Sequence, residues 1–228
     1  CPGGELNSFM SYKKRHDKIR RILEHRQPDL TVVMDNVHKP HNVAAILRTC
    51  DAVGISTVHA IVDRNLFDVR RRAACGAHKW VEVKTYDQVD DAYGLLRDGG
   101  FRILTAQYAG DGQDFRAIDY TQPTAIVVGM ELDGLTSEAI NQADGSMSVP
   151  TVGMVDSLNV SVATAVILFE AERQRRQAGF YDAPRLDKET YTRLLFEFTH
   201  PTVSAYCKRH SLPYPDINEK GEIISQLR

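Results

Sequence analysis

The chain is short of cysteine and has no Cys-x-x-Cys pair. Its four cysteines, Cys1, Cys50, Cys75 and Cys207, are widely spaced among 228 residues. That spacing excludes a zinc ribbon and gives no disulfide framework, so reduced thiols and a cytoplasmic setting are expected. No apolar run approaches the ~18 residues of a membrane-spanning helix. The opening Cys1-Pro2-Gly3-Gly4 lacks the apolar core of a secretory signal. There is no G-x-x-x-x-G-K-[ST] phosphate loop and no G-x-S-x-G nucleophile elbow. Nor is there the G-x-G-x-x-G fingerprint that a Rossmann-like oxidoreductase would carry. His38 and His41 lie close together, but no carboxylate or thiol cluster joins them, so no metal is expected. They read as turn and surface histidines. Internal repeats and low-complexity tracts are also missing.

What is present is globular. Hydrophobic residues make up 43% and charged residues 25%, which argues against a disordered or fibrous chain. The net charge of -2 hides an asymmetry. From Thr85 to Asp156 twelve acidic residues face only Arg97, Arg102 and Arg116. The rest of the chain is basic, with clusters at Lys13–Arg26, Arg70-Arg71-Arg72 and Arg173–Arg176. Separate basic clusters on a near-neutral chain suggest a polyanion footprint if they share a side. Taken singly, each reads as a solvated helix face.

Hydrophobic periodicity divides the chain. Ser11–His25 carries Ile19, Ile22 and Leu23 at helical spacing on a basic background, a helix that docks by a narrow stripe. Leu30–Met34 is a short apolar strand. Val43, Ile46, Leu47, Cys50 and Val53 mark a helix that Gly54 stops. Strands are expected at Thr57–Val62, Trp80–Val83, Phe101–Thr105, Thr124–Val128 and Ser146–Val149. Helices are expected at Tyr86–Arg97, Thr136–Gln142, Ser157–Gln177, Lys188–Glu197 and Val203–His210. Alternating strands and helices imply an α/β fold with a mainly parallel sheet flanked by helices and right-handed crossovers. Three parts are expected: a basic helical extension (1–29), the α/β domain (30–179) and a C-terminal extension (180–228).

In open α/β sheets, ligands bind at the carboxyl ends of strands. Three strand-following segments stand out. In His41-Asn42-Val43-Ala44-Ala45-Ile46-Leu47-Arg48, Asn42 sits where a helix N-cap would sit. Arg48 lies about 120° further round the helix, in an apolar stretch where its alternative role is a structural ion pair. In Gly129-Met130-Glu131-Leu132-Asp133-Gly134, a glycine just past a strand lets a ligand approach the backbone. Glu131 reads as a cap or as a ligand-orienting carboxylate. In Val149-Pro150-Thr151-Val152-Gly153-Met154-Val155-Asp156-Ser157-Leu158-Asn159-Val160-Ser161, Ser157 is the expected N-cap of the long helix. The polar groups of that first turn need partners, and a ligand is one such partner.

These three segments, in this order and at these intervals, resemble the SPOUT superfamily of RNA methyltransferases, and within it most nearly the TrmH family of tRNA 2'-O-methyltransferases. The similarity runs from about Arg26 to Phe180, and Leu212-Pro213-Tyr214-Pro215 is similar to the family's C-terminal extension. The resemblance implies a deep trefoil knot at the C-terminal end of the sheet. It implies an obligatory homodimer, and S-adenosylmethionine bound mostly by backbone at Ala106, Gly129, Val149 and Leu158. It assigns the catalytic positions to Arg48, Asn42, Glu131, Ser157 and Asn159. It places tRNA on Arg15, Lys18, Arg26, His41, Arg173 and Arg175, and implies methylation of the ribose of guanosine 18 in the D-loop. A guanidinium stays protonated near neutral pH, so Arg48 is either a strongly perturbed base or a fixed cation beside the developing alkoxide. Asp156 replaces the glutamine familiar before Ser-Leu-Asn. A ribosomal RNA methyltransferase is the nearest alternative, although only about 30 residues precede the first strand, too few for the separate RNA-binding domain many of those carry. A non-catalytic RNA-binding module is a further alternative, against which the retained Asn42, Arg48, Glu131, Ser157 and Asn159 argue.

Overall fold

A computed structural model describes residues 3–62, 80–108, 112–130 and 134–225. Arg70-Arg71-Arg72 and Glu131 lie outside the described residues. In chain order the helices are α1 (Gly3–Glu24), α2 (Pro40–Ala52), α3 (Val89–Asp98), α4 (Ser137–Asn141), α5 (Val160–Gln177), α6 (Lys188–Thr199) and α7 (Pro201–His210). The strands are β1 (Leu30–Asp35), β2 (Thr57–Ile61), β3 (Glu82–Tyr86), β4 (Arg102–Gln107), β5 (Gln113–Asp114), β6 (Thr124–Val128) and β7 (Gly145–Ser148). Residues 27–182 form one compact unit; residues 1–26 and 183–228 together form another.

The larger unit is a seven-stranded sheet in the order β3-β2-β1-β6-β4-β7-β5, and its described pairings are parallel. β1 and β6 run side by side at its centre and are buried along their whole length. Their near-continuous apolar sequences suit strands covered on both faces. Successive side chains alternate between those faces. Val32, Met34, Ile126 and Val128 join one core, under α2 and α5. Val33, Ala125 and Val127 join the other, with Ala92, Tyr93 and Leu96 of α3.

The helix boundaries correct two expectations. Asn42 is not the cap of α2. Lys39 is, and Pro40 opens the helix, where its missing N–H would have been unpaired anyway. The long helix starts at Val160, not at Ser157. Its cap is Asn159, whose side chain accepts a hydrogen bond from the Ser161 amide. β3 lies a few residues later than expected, and β5 was not anticipated.

In the smaller unit α1 packs against α6, with Ile19 and Leu23 buried. The Leu212-Pro213-Tyr214-Pro215 segment folds back on α6. There Tyr214 stacks on Phe196 with ring centres 4.7 Å apart and donates a 2.9 Å hydrogen bond to Glu197.

Candidate active site

At the carboxyl ends of β4, β6 and β7 the larger unit holds a cavity of about 230 Å³. Three stretches build its walls: Ala106-Gln107-Tyr108; Val128, Gly129 and Met130 with Gly134 and Leu135; and Val149 with Asp156-Ser157-Leu158. The structure therefore brings Ala106, Gly129, Val149 and Leu158 together in one place, with Ser157 and Asp156 beside them. Tyr108, Met130, Leu135 and Ile140 also line it and were not singled out from sequence. Tyr108 could have been, since it follows a strand; Ile140, inside a short helix, carries no such signal.

The middle wall is held by a backbone pairing. Met130 and Gly134 exchange backbone hydrogen bonds in both directions, at 2.8 and 3.1 Å. Gly134 takes the left-handed conformation, with φ of 68°. A Cβ on Gly129 would stand 2.3 Å from the Gly134 carbonyl oxygen, so only glycine fits where the chain folds back on itself. Val128, Leu135, Val160 and Ile167 give the cavity apolar walls. Asp156, exposed at the wall, adds one carboxylate.

Asn42 and Arg48 stand outside these walls, on α2. Asn42 is buried, at 2% exposure. The Asn159 amide donates to its side-chain oxygen at 3.3 Å, which joins the start of α2 to the start of α5. Arg48 is exposed, about two turns further along the same helix. His41 is exposed at the beginning of α2. Ser157 is exposed in the loop before α5.

The basic residues expected to hold RNA divide by burial. Arg15, Lys18 and Arg173 are exposed. Arg26 is fully buried. Arg175 turns inward, also at 0% exposure, and donates to the Asp29 carboxylate at 2.6 Å and to the carbonyls of Asp29 and Tyr120. This guanidinium holds the fold together. The phosphate contact that the resemblance implied for it is not open to a side chain so buried. Among the described residues no cluster of histidine, cysteine or carboxylate side chains could hold a metal ion, and no helix is long and apolar enough to cross a membrane.

Comparison with known proteins places this geometry. The profile of the SpoU rRNA Methylase family matches residues 29–169, and that of the SpoU rRNA methylase C-terminal region matches residues 173–226. The chain is 47% identical to the tRNA (guanosine(18)-2'-O)-methyltransferase of Escherichia coli K12, over 92% of each chain. Its fold superposes on the crystal structure of the TrmH/SpoU tRNA modifying enzyme of Aquifex aeolicus with a TM-score of 0.73 at 37% identity, covering 85% of this chain and 98% of that one. An AdoMet-bound rRNA methyltransferase of Sinorhizobium meliloti matches more distantly, with a TM-score of 0.58 at 28% identity over 69% of this chain and 60% of that one. With the profile covering more than half of the chain and the E. coli relative nearly all of it, this protein belongs to the SpoU methylase family.

Proposed function

We propose that the protein transfers a methyl group from S-adenosylmethionine to the ribose 2'-hydroxyl of guanosine 18 in the tRNA D-loop. The observation that carries this reading is the cavity at the ends of β4, β6 and β7, tied by the Asn42–Asn159 hydrogen bond to the helix that bears Arg48. The E. coli relative, named for this reaction, supports the substrate. Its 47% identity over 92% of both chains, against 28% identity over 69% of this chain for the rRNA enzyme, favours tRNA over ribosomal RNA.

The cavity suits the methyl donor. The Gly129 turn leaves backbone uncovered where a side chain would otherwise stand, and apolar walls with a few polar groups suit an adenosyl group. Ala106, Gly129, Val149 and Leu158 would hold it, and the Asp156 carboxylate complements a positive charge. When bound, the donor supplies an electrophilic methyl on a sulfonium. The protein's own contribution is positioning and electrostatics, and neither needs a metal. Arg48 serves as a fixed cation beside a phosphate and the developing alkoxide of the ribose. Asn42 and Asn159 hold α2 and the loop before α5 in mutual register. Ser157 and Glu131 complete the site.

Arg15 and Lys18 on the smaller unit bind RNA, as do His41 and Arg173 on the larger, with residues 30–179 as the methyltransferase domain. Val162, Val166 and Phe169 are exposed along one face of α5, and Val152 and Met154 project fully from the loop before it. A second copy of the chain covering this apolar face makes the enzyme a homodimer. The C-terminal end of the sheet forms the trefoil knot; the meeting of Gly129 and Gly134 with Val149 and Leu158 at one cavity supports that reading. The free thiol of Cys207 fits a reducing cytoplasm.

The test is methyl transfer from radiolabelled S-adenosylmethionine to unmodified tRNA transcripts with the D-loop guanosine present or replaced. Label confined to that guanosine, and resistant to alkaline cleavage, is expected. Label on ribosomal RNA alone would move the protein to the other substrate class.

A further inference from the structure

Nothing in the proposed chemistry uses Asp35, yet it is among the most buried ionisable groups of the sheet. It is the last residue of β1 and is 1% exposed. A carboxylate in such a place must be hydrogen-bonded, and its partners are specific. Oδ2 accepts from both the backbone N–H and the hydroxyl of Thr136, at 2.7 and 2.9 Å. Oδ1 accepts from the Asn36 amide at 3.1 Å. Asn36 itself is in the left-handed region, with φ of 56°, a conformation asparagine tolerates better than most residues.

Thr136 faces two ways. While its N–H and O–H point to Asp35, its hydroxyl oxygen accepts from the Ala139 amide and caps α4. Immediately before it stand Gly134 and Leu135, which line the cavity, and Gly134 closes the Met130–Gly134 pairing against which Gly129 is packed. Just after it, Ile140 of α4 lines the same cavity. One carboxylate, 101 residues away in sequence, therefore pins the point where the cavity turn becomes a helix.

We propose that Asp35, acting through Thr136, is a positioning residue for the methyl donor. It fixes the turn that carries the Gly129 and Gly134 backbone. It touches neither the donor nor RNA, so its effect is confined to the donor side of the reaction. The inference rests on the assignment of this cavity to S-adenosylmethionine.

The experiment measures the Kd for S-adenosylmethionine by calorimetry, and kcat with KM for each substrate. The proteins are the full-length chain and the variants Asp35→Asn, Thr136→Val and Thr136→Ser. Asp35→Asn removes the charge. Thr136→Val removes the hydroxyl at constant shape, and Thr136→Ser keeps it. The expected result is a roughly tenfold rise in Kd and KM for the donor in the first two variants. The KM for tRNA should stay within about twofold, and Thr136→Ser should restore donor binding. The serine and valine pair keeps the test open if Asp35→Asn does not fold. Donor affinity unchanged in a variant whose Tm has fallen would make Asp35 a purely structural group and overturn the inference. So would a parallel loss of tRNA affinity. Failure of the unaltered protein to bind S-adenosylmethionine would instead defeat the cavity assignment, and this inference with it.

Discussion

The side-chain amide of Asn159 donates to the side-chain oxygen of Asn42 at 3.3 Å, across 117 residues of sequence. The Asn159 oxygen meanwhile caps α5 through Ser161. One residue thus starts a helix and holds the helix that carries Arg48. Replacing Asn159 by alanine should cost about 1 kcal/mol of stability through the lost cap. Asn42→Ala and Asn159→Ala should each slow single-turnover methyl transfer, and the double variant should be no slower than the worse single one. Additive losses would show that the pair does not act as a unit.

Arg48 is exposed on α2 and away from both cores. Arg48→Ala should therefore change stability by less than about 0.5 kcal/mol while abolishing methyl transfer. Donor binding and oligomeric state should be unaltered. Normal turnover in this variant, measured with labelled donor, would remove Arg48 from the chemistry.

Much of this arrangement is legible in the sequence, and its gaps have physical causes. β1 and β6 read cleanly because both faces are covered and their apolar residues are nearly continuous. Among the described residues β3 pairs only with β2 and is exposed or half-buried throughout, so it lacks the apolar run that marks Trp80–Val83. In Ser157-Leu158-Asn159-Val160-Ser161 both Ser157 and Asn159 are good caps. The choice falls to Asn159 because Val160 packs into the core while residues 152–159 stay exposed. Arg175 looks like its charged neighbours, but each residue turns the helix by about 100°. Its spacing from Leu168 and Ala171, both buried, was the signal that it points inward. The Asp35–Thr136 link has no sequence signature, since it joins the ends of two distant segments.

The exposed cations should show themselves in salt dependence. Arg15 and Lys18 lie on α1 and are exposed; Arg173 is exposed on α5, paired with Glu170 at 2.7 Å. Replacing any one by glutamine should weaken tRNA binding and lower the slope of log K against log salt by about 1 per lost phosphate contact. Titrations at several salt concentrations read this directly. An unchanged slope for Arg15→Gln and Lys18→Gln would take α1 out of the RNA contact.

Arg175 should behave in the opposite way. Its guanidinium is wholly buried and its partner Asp29 is mostly so. Removing one member of such a pair leaves the other uncompensated and typically costs about 3–5 kcal/mol. Arg175→Ala should therefore lower the urea midpoint sharply. Arg173→Ala, two residues away, should leave it nearly unchanged. Equal, small effects would mean that the buried pair does not support the sheet.

His59 gives the fold a pH dependence of predictable sign. Its ring is 5% exposed, stacks on Tyr86 and shares a 2.9 Å hydrogen bond with that hydroxyl. Burial, with a smaller contribution from the nearby Lys84 charge, pushes its pKa down from 6.5 to about 4. Between those values the unfolded chain binds a proton at this site and the folded chain does not, so stability rises with pH across the window. The contribution is complete above pH 6.5 and declines as pH falls toward 4, where about 3 kcal/mol has been lost. His59→Phe keeps a ring but cannot titrate. It should start lower, because Tyr86 loses its partner, and then fall less steeply than the unaltered protein. Urea unfolding of both proteins at pH 7.5 and 4.5 isolates the difference, since the carboxylates titrate alike in each. Parallel losses in the two proteins would show that the buried imidazole is not what makes the sheet acid-sensitive.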